Sequence, residues 1–337
     1  RVGDELAFET SSEAAARVAS PAPLSERCPV ILKTDMTHLA NKGEYSIVKG
    51  MHQYFACEIL PRVVQDDYVF EAATRFATDY AVECFRYLRL GGQEVYRTQQ
   101  RLHEINDRIV DFLARAYTAG FAPTAARVDL PKASDFVELV DMDGLDKNTR
   151  AQALALHKEA RDHEDLQLTV TLRGIRDSYE TNVSRIMFVV RRVMKVTLGL
   201  PKKESDNKLL PPPDYIEWYV AHADSSHPLY PVLGEGRAFY KVARNVGSHH
   251  IGLEWKPGSN IVILRDRVNT LTIHVHRFQQ WFRYLVHFCD LGIRGILATF
   301  CERERGPISN TIVEKYNKTF PSDWTGGEEG IVVPYSV

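Results

Sequence analysis

Residues 166–200 read LQLTVTLRGIRDSYETNVSRIMFVVRRVMKVTLGL. Val170, Ile175, Tyr179, Val183, Ile186, Val190, Val193 and Leu198 form an apolar stripe along this stretch. Such a stripe at a period near 3.6 predicts one long amphipathic helix, because only one face then meets a core. Gly199 and Pro201 close it, the usual chemistry of a helix C-terminus. Upstream the same period recurs. Residues 45–64 carry Ile47, Met51, Phe55 and Ile59 four apart. Residues 67–90 carry Phe70, Phe76, Tyr80, Cys84 and Tyr87, and Gly91-Gly92 reads as a stop. Residues 94–117 carry Leu102, Ile105, Ile109 and Leu113, and end near Gly120. A connection follows over 122–145, then a polar helix over 147–164.

Downstream of the long helix, a charged, Pro-rich loop leads to a short helix carrying Ile216, Trp218 and Tyr219, and another helix is expected over 235–248, ending near Gly247. Residues 252–266, GLEWKPGSNIVILRD, predict a β-hairpin: a Lys-Pro-Gly-Ser-Asn turn separates 253–255 from the β-branched run 261–264, and 271–275 offers a third strand. A last helix over 277–304 carries Phe278, Phe282, Leu285, Phe288, Ile293, Ile296 and Phe300 inward. The fold class is therefore mainly α: an N-terminal helical domain over 31–145 and a C-terminal helical bundle with a small hairpin over 146–320. A lead-in over 1–30 and a tail over 321–337 flank them.

With 44% hydrophobic and 26% charged residues, the chain has the balance of a folded protein rather than a disordered one. No apolar run approaches the ~18–20 residues of a membrane helix, so no membrane association is expected. The opening RVGDELAFETSSEAAARVASPAP is acidic and Ser/Ala-rich, without the apolar core of a secretory signal, and a cytoplasmic location follows as the expectation. The five cysteines, Cys28, Cys57, Cys84, Cys289 and Cys301, contain no C-x-x-C pair, so reduced thiols are expected rather than a zinc or disulfide framework. A formal net charge of −2 argues against a protein that coats nucleic acid, while leaving room for a local basic site.

The chemistry concentrates in residues 240–250, YKVARNVGSHH. Arg244-Asn245 is followed by His249, after a long helix and before a hairpin and another helix. This arrangement resembles the HEPN superfamily (higher eukaryotes and prokaryotes nucleotide-binding domains) over roughly 165–305. The resemblance implies a HEPN-like helical bundle and a metal-independent endoribonuclease. The RNA 2′-hydroxyl attacks the adjacent phosphate, giving a 2′,3′-cyclic phosphate and a 5′-hydroxyl. Such a reaction needs a proton acceptor that works near neutrality, a property of imidazole. It also needs a fixed cation against the charge growing on phosphorus, which a guanidinium supplies without losing its proton. The resemblance assigns His249 as general base or acid, Arg244 as the phosphate-stabilising group and Asn245 as the polar residue that holds the phosphate or orients the imidazole. His250 is a candidate second proton-transfer group. The resemblance also implies a homodimer with both motifs at the interface, RNA as substrate, a toxin or antiviral defence role and no cofactor. Residues 31–145 would then sense, regulate or bind a protein partner such as an antitoxin.

One geometric point bears on the pairing. Five residues of ideal helix turn by about 500°, which leaves Arg244 and His249 about 140° apart. Either the helix unwinds at Gly247, or a second copy of the chain completes the site. An Arg97-to-His103 spacing on an ordinary amphipathic helix lacks the Asn and the hairpin, and shows how common loose Arg/His spacings are.

Weaker candidates remain. Arg191, Arg192 and Lys195, with Lys202 and Lys203, would make a phosphate-binding patch or a salt-bridged helix face. His274 and His276 lie two apart in IHVH, on one face of a strand, where they offer half of a metal site; His249, His250 or Asp266 would have to complete it. His157 and His163 read as solvated. Trp218, Tyr219, Trp255 and Trp281 read as core aromatics before base-stacking ones. The chain has no GxGxxG, no phosphate-binding Gly-Lys-Ser/Thr loop, no Gly-x-Ser-x-Gly elbow and no HExxH, so the chemistries those motifs serve have no support. Two rival functions stay open: a non-catalytic HEPN-like module that binds nucleotide or RNA or scaffolds a complex, and a helical-bundle enzyme with a His-bound metal or haem.

Overall fold

The computed structural model describes residues 42–120, 133–249, 252–255 and 260–304. The lead-in, the tail, His250, and the hairpin residues Lys256 to Ser259 lie outside them. Helices account for most of the described chain. In order they are α1 Lys42–Tyr54, α2 Leu60–Gln65, α3 Asp67–Arg75, α4 Ala81–Thr118, α5 Lys147–Ser178, α6 Ser184–Thr197, α7 Pro212–His222, α8 Tyr230–Leu233, α9 Arg237–His249 and α10 Val275–Glu304. Single π-helical turns, Phe55–Ile59, Phe76–Tyr80 and Tyr179–Val183, join α1 to α2, α3 to α4 and α5 to α6. Between α9 and α10 runs an antiparallel meander, β1 Leu253–Trp255, β2 Ile261–Arg265 and β3 Thr270–His274. Its register sets Trp255 against Val262, and Val262 against Ile273. The sheet is thus three-stranded, with the third strand where 271–275 offered one. Among the described residues, no helix is long and apolar enough to cross a membrane.

Two features of the helices differ from the sequence reading. The Gly91-Gly92 pair does not stop a helix; α4 runs through it for 38 residues. A Cβ on Gly91 would sit 3.6 Å from the Cα of Gly174 in α5, an ordinary contact, and one on Gly92 would meet open space; the helix carries both glycines at a penalty of about 1 kcal/mol each. Likewise the polar helix over 147–164 and the long helix from 166 are one element. Lys147 to Thr197 is continuous, interrupted only by the turn Tyr179–Val183. Polarity changed along the helix because its burial changes, and no break was needed.

The chain forms two compact units. One takes residues up to Leu88, Asp177–Ala238 and those from Arg283 on; the other takes Arg89–Arg176 and Phe239–Phe282. The units interleave along the sequence, because α4, α5, α9 and α10 each continue from one unit into the other.

In the first unit, Met51, Phe55, Phe76, Ile186, Phe188, Tyr215, Tyr219, Phe288 and Ile296 are fully buried or nearly so. Cys84 and Cys289 are free and buried, and burial pushes both thiols up. Cys57 is disulfide-bonded, so the expectation of reduced thiols does not hold there.

In the second unit, Ile105, Ile109 and Phe112 of α4 pack with Ala153, Leu156 and Ala160 of α5, and Phe136, Val140 and Leu145 cover them. The segment 133–145 is thus a lid on a core rather than a loose connection. Ser134 fastens it: its N–H and hydroxyl donate to the buried Glu164 carboxylate at 3.1 and 2.7 Å. His157 is not solvated as expected. Half-buried, it donates through Nδ1 to the Ser134 carbonyl at 2.5 Å. Ser134, His157 and Glu164 do not form a nucleophile triad, because the imidazole bonds the carbonyl and not the hydroxyl.

Candidate functional site

The motif lies on α9, RAFYKVARNVGSH. Phe239, Tyr240, Val242, Ala243, Val246 and Gly247 are buried. Phe239 stacks near Trp281, Tyr240 meets the same ring edge-on, and the Tyr240 hydroxyl donates to the Trp281 carbonyl at 3.0 Å. Trp281 is therefore core, as is the fully buried Tyr219. Lys241, Ser248 and His249 are exposed, and Arg244 and Asn245 are half-buried at the border between the two faces.

The helix does not unwind at Gly247; α9 runs through it to His249. The glycine serves another purpose. A Cβ there would come within 2.9 Å of the Leu172 carbonyl oxygen and 3.2 Å of Arg176 Cβ, both on α5. The Arg176 guanidinium donates to the Gly247 carbonyl at 3.2 Å, satisfying an acceptor that the helix end leaves open. Gly247→Ala is accordingly expected to destabilise the protein by about 1–3 kcal/mol through overpacking, although alanine is the better helix former. Thermal unfolding followed by circular dichroism reads this; an unchanged or raised midpoint would contradict it.

Because α9 stays regular, Arg244 and His249 of one chain keep the ~140° separation of an ideal helix. What the structure brings together is Arg244, Asn245 and Asp266. Arg244 Nη1 donates to Asn245 Oδ1 at 3.3 Å, and Asn245 Nδ2 donates to Asp266 Oδ2 at 2.9 Å. Asp266 Oδ1 also accepts from the N–H groups of Val268 and Asn269, at 2.8 and 2.6 Å. The Asn245 bond first, then those two N–H groups, hold the Asp266 carboxyl well below its usual range. Gly252 sits close by, at φ +84, where a Cβ would lie 1.9 Å from the Arg265 carbonyl oxygen. Its own carbonyl accepts from Arg265 N–H at 2.7 Å. The chain leaving the motif is thus pinned to the end of β2, beside Asp266. Sequence reasoning named Asp266 only as a distant metal ligand. The signal for its real role was Asp266-x-x-Asn269, a side chain poised to bond its own turn.

The segment around the motif is basic in sequence. Residues 239–282 hold six Lys or Arg against two acids, with four His, inside a chain of net charge −2. Nothing acidic lies on α9 itself.

The other candidates lie elsewhere. Arg191, Arg192 and Lys195 do not form an open phosphate patch. Arg192 and Lys195 are 2% and 4% exposed. Lys195 Nζ reaches Asp206 at 2.6 Å and Arg191 Nη2 reaches it at 3.2 Å. Arg192 bonds the Tyr68 carbonyl, Glu71 and Asn207. Positive charge on α6 faces inward because Asp206 and Asn207 are there to receive it.

His274 and His276 do not share a strand face, since β3 ends at His274 and His276 lies in the first turn of α10. Their rings stack with centroids 5.1 Å apart. Among the described residues no group of three or more His, Cys, Asp or Glu is placed to hold a metal ion. Trp218 is half-buried and stacked on His222, with Arg191 over its ring. Comparison of the chain with protein-family models, with curated proteins and with solved structures finds no match.

Proposed function

We propose that this chain is a metal-independent endoribonuclease with a HEPN-like site, working as a homodimer that brings Arg244 and His249 of two copies onto one phosphodiester. The observation that carries this reading is the placement of Arg244 and Asn245. The pair is bonded together, half open to solvent, on a helix that bears no acid and ends in an exposed His249. A cation held beside an amide suits an anionic phosphate oxygen, and a solvent-facing imidazole suits proton transfer to or from a 2′-hydroxyl. The local excess of cations would draw RNA to this face despite the slightly acidic whole. A toxin or defence effector is the biological role this chemistry fits best, with the remaining helices available to a regulating partner.

The test is cleavage of single-stranded RNA in EDTA. The expected products carry a 2′,3′-cyclic phosphate and a 5′-hydroxyl, and the matching all-deoxy strand stays intact. Cleavage that stops on chelation, or that also cuts the deoxy strand, would contradict the proposal. The angular separation of Arg244 and His249 within one chain favours a second reading, a non-catalytic RNA-binding module. RNA binding with no cleavage under any of these conditions would support it.

A further inference from the structure

We propose that the turn Asp266–Asn269 is the RNA-contacting arm of this site, presenting Arg267 and Val268 to the strand while Asp266 positions Arg244 through Asn245. The inference rests on the ribonuclease reading and adds to it a specificity element outside the motif.

The turn is built from within. Asp266 Oδ1 takes the two backbone N–H groups and, at 3.2 Å, Asn269 Nδ2, while Asp266 N–H donates to the Asn269 carbonyl at 3.0 Å. These bonds hold four residues in one shape, so the side chains at the tip are presented at little further entropic cost. The tip carries an exposed Arg267 and a Val268 that is 89% exposed, the highest value among the exposed large apolar residues. A valine there buries almost nothing among the described residues, and turn positions ordinarily go to Gly, Asn, Asp or Ser. A cation beside an apolar side chain is the pairing that meets a nucleic-acid strand, the cation on phosphate and the apolar group against a base.

The same carboxylate that shapes the turn holds Asn245, and Asn245 holds Arg244. Asp266 is therefore a positioning residue, and a strand resting on the tip lies one two-bond relay from the reactive cation.

The experiment measures binding and turnover separately. Binding of a fluorescent, 2′-O-methyl oligoribonucleotide, which cannot be cut, is followed by anisotropy over a range of salt. Arg267→Ala and Val268→Ser are expected to weaken binding about tenfold, and Arg267→Ala to lower the salt slope by about one. Arg115→Ala, which removes an exposed cation from α4, is expected to change nothing.

With cleavable RNA, Asp266→Ala is expected to lower kcat about tenfold or more and, because the same carboxylate shapes the arm, to raise KM as well; Asp266→Asn, whose one oxygen can keep the turn but whose amide N–H then faces Asn245 Nδ2, is expected to restore KM while kcat stays low. Wild-type affinity in both tip variants would overturn the arm, and wild-type kcat in Asp266→Ala would overturn the relay. Wild-type protein that binds the oligomer but cuts no RNA would sink the nuclease reading while the anisotropy series still decides the arm. Wild-type protein that fails to bind it would sink both.

Discussion

His249→Ala is expected to slow RNA cleavage by about 10²–10⁴-fold, the range that a positioned acid or base contributes, without lowering stability. The structure makes the second half of that expectation firm. His249 stands exposed in the last turn of α9, outside the buried face of that helix. Arg244→Ala is expected to lose a similar factor, as for a removed oxyanion donor, about 10²–10³-fold. Arg244→Lys restores the charge but not the planar fork and should remain impaired. Single-turnover rates, with circular dichroism to check the fold, read all three. A His249→Ala protein that cuts RNA at the wild-type rate would remove the imidazole from the mechanism.

The largest expected effect on stability falls far from the motif. Asp206→Ala is expected to destabilise the protein by about 3–5 kcal/mol, because it strands buried cations rather than merely deleting a bond. Asp206 accepts from Lys195 Nζ, the Tyr68 hydroxyl and Lys203 N–H, and pairs with Arg191. Lys195 is 4% exposed and would keep only the Pro201 carbonyl, at 3.1 Å. A melting point lower by about 5 °C is the corresponding readout. Replacing Lys195 by Met together with Asp206 by Leu should recover much of the loss, since an apolar pair needs no partner.

The same cluster fixes a pH dependence. Burial alone would raise the Asp206 carboxyl, but the bonds from Lys195, Tyr68 and Lys203 outweigh it and hold the group at about 2. A carboxyl depressed in the folded state stabilises fully above its unfolded value of about 3.9 and loses that contribution as pH falls toward the folded value. Wild-type stability should therefore drop between about pH 4 and pH 2, and the drop should shrink in the Lys195→Met, Asp206→Leu double variant. Equal melting points for wild type and Asp206→Ala would refute the account of this cluster.

The helical class was legible because burial writes a 3.6 period into the sequence, and each apolar stripe fell on a helix. Glycine is ambiguous as punctuation along the chain. Gly91 and Gly247 both lie inside helices, and Gly247 lets its backbone approach Leu172, a cause located in another element and invisible along the chain. Among the described residues the left-handed backbone demands glycine locally at Gly120, Gly199 and Gly252, with φ +90, +64 and +84. The cations of α6 misled for a related reason. Arg191, Arg192 and Lys195 look like a surface patch until Asp206, eleven residues beyond Lys195, folds back over them. The motif was visible as residue types, whereas the tie from Asn245 to Asp266 spans 21 positions and only a folded chain displays it.

The central claim is that two copies share one site, and mixing inactive variants tests it most directly. Arg244→Ala and His249→Ala proteins are each expected to be inactive alone. If Arg244 of one protomer works with His249 of the other, a mixed dimer has one intact site of two. Half of the dimers in an equimolar, re-equilibrated mixture are mixed, so about a quarter of wild-type RNA cleavage should return. Recovery to about that level is the predicted result. A mixture as inactive as its two components, with subunit exchange verified, would contradict the shared site.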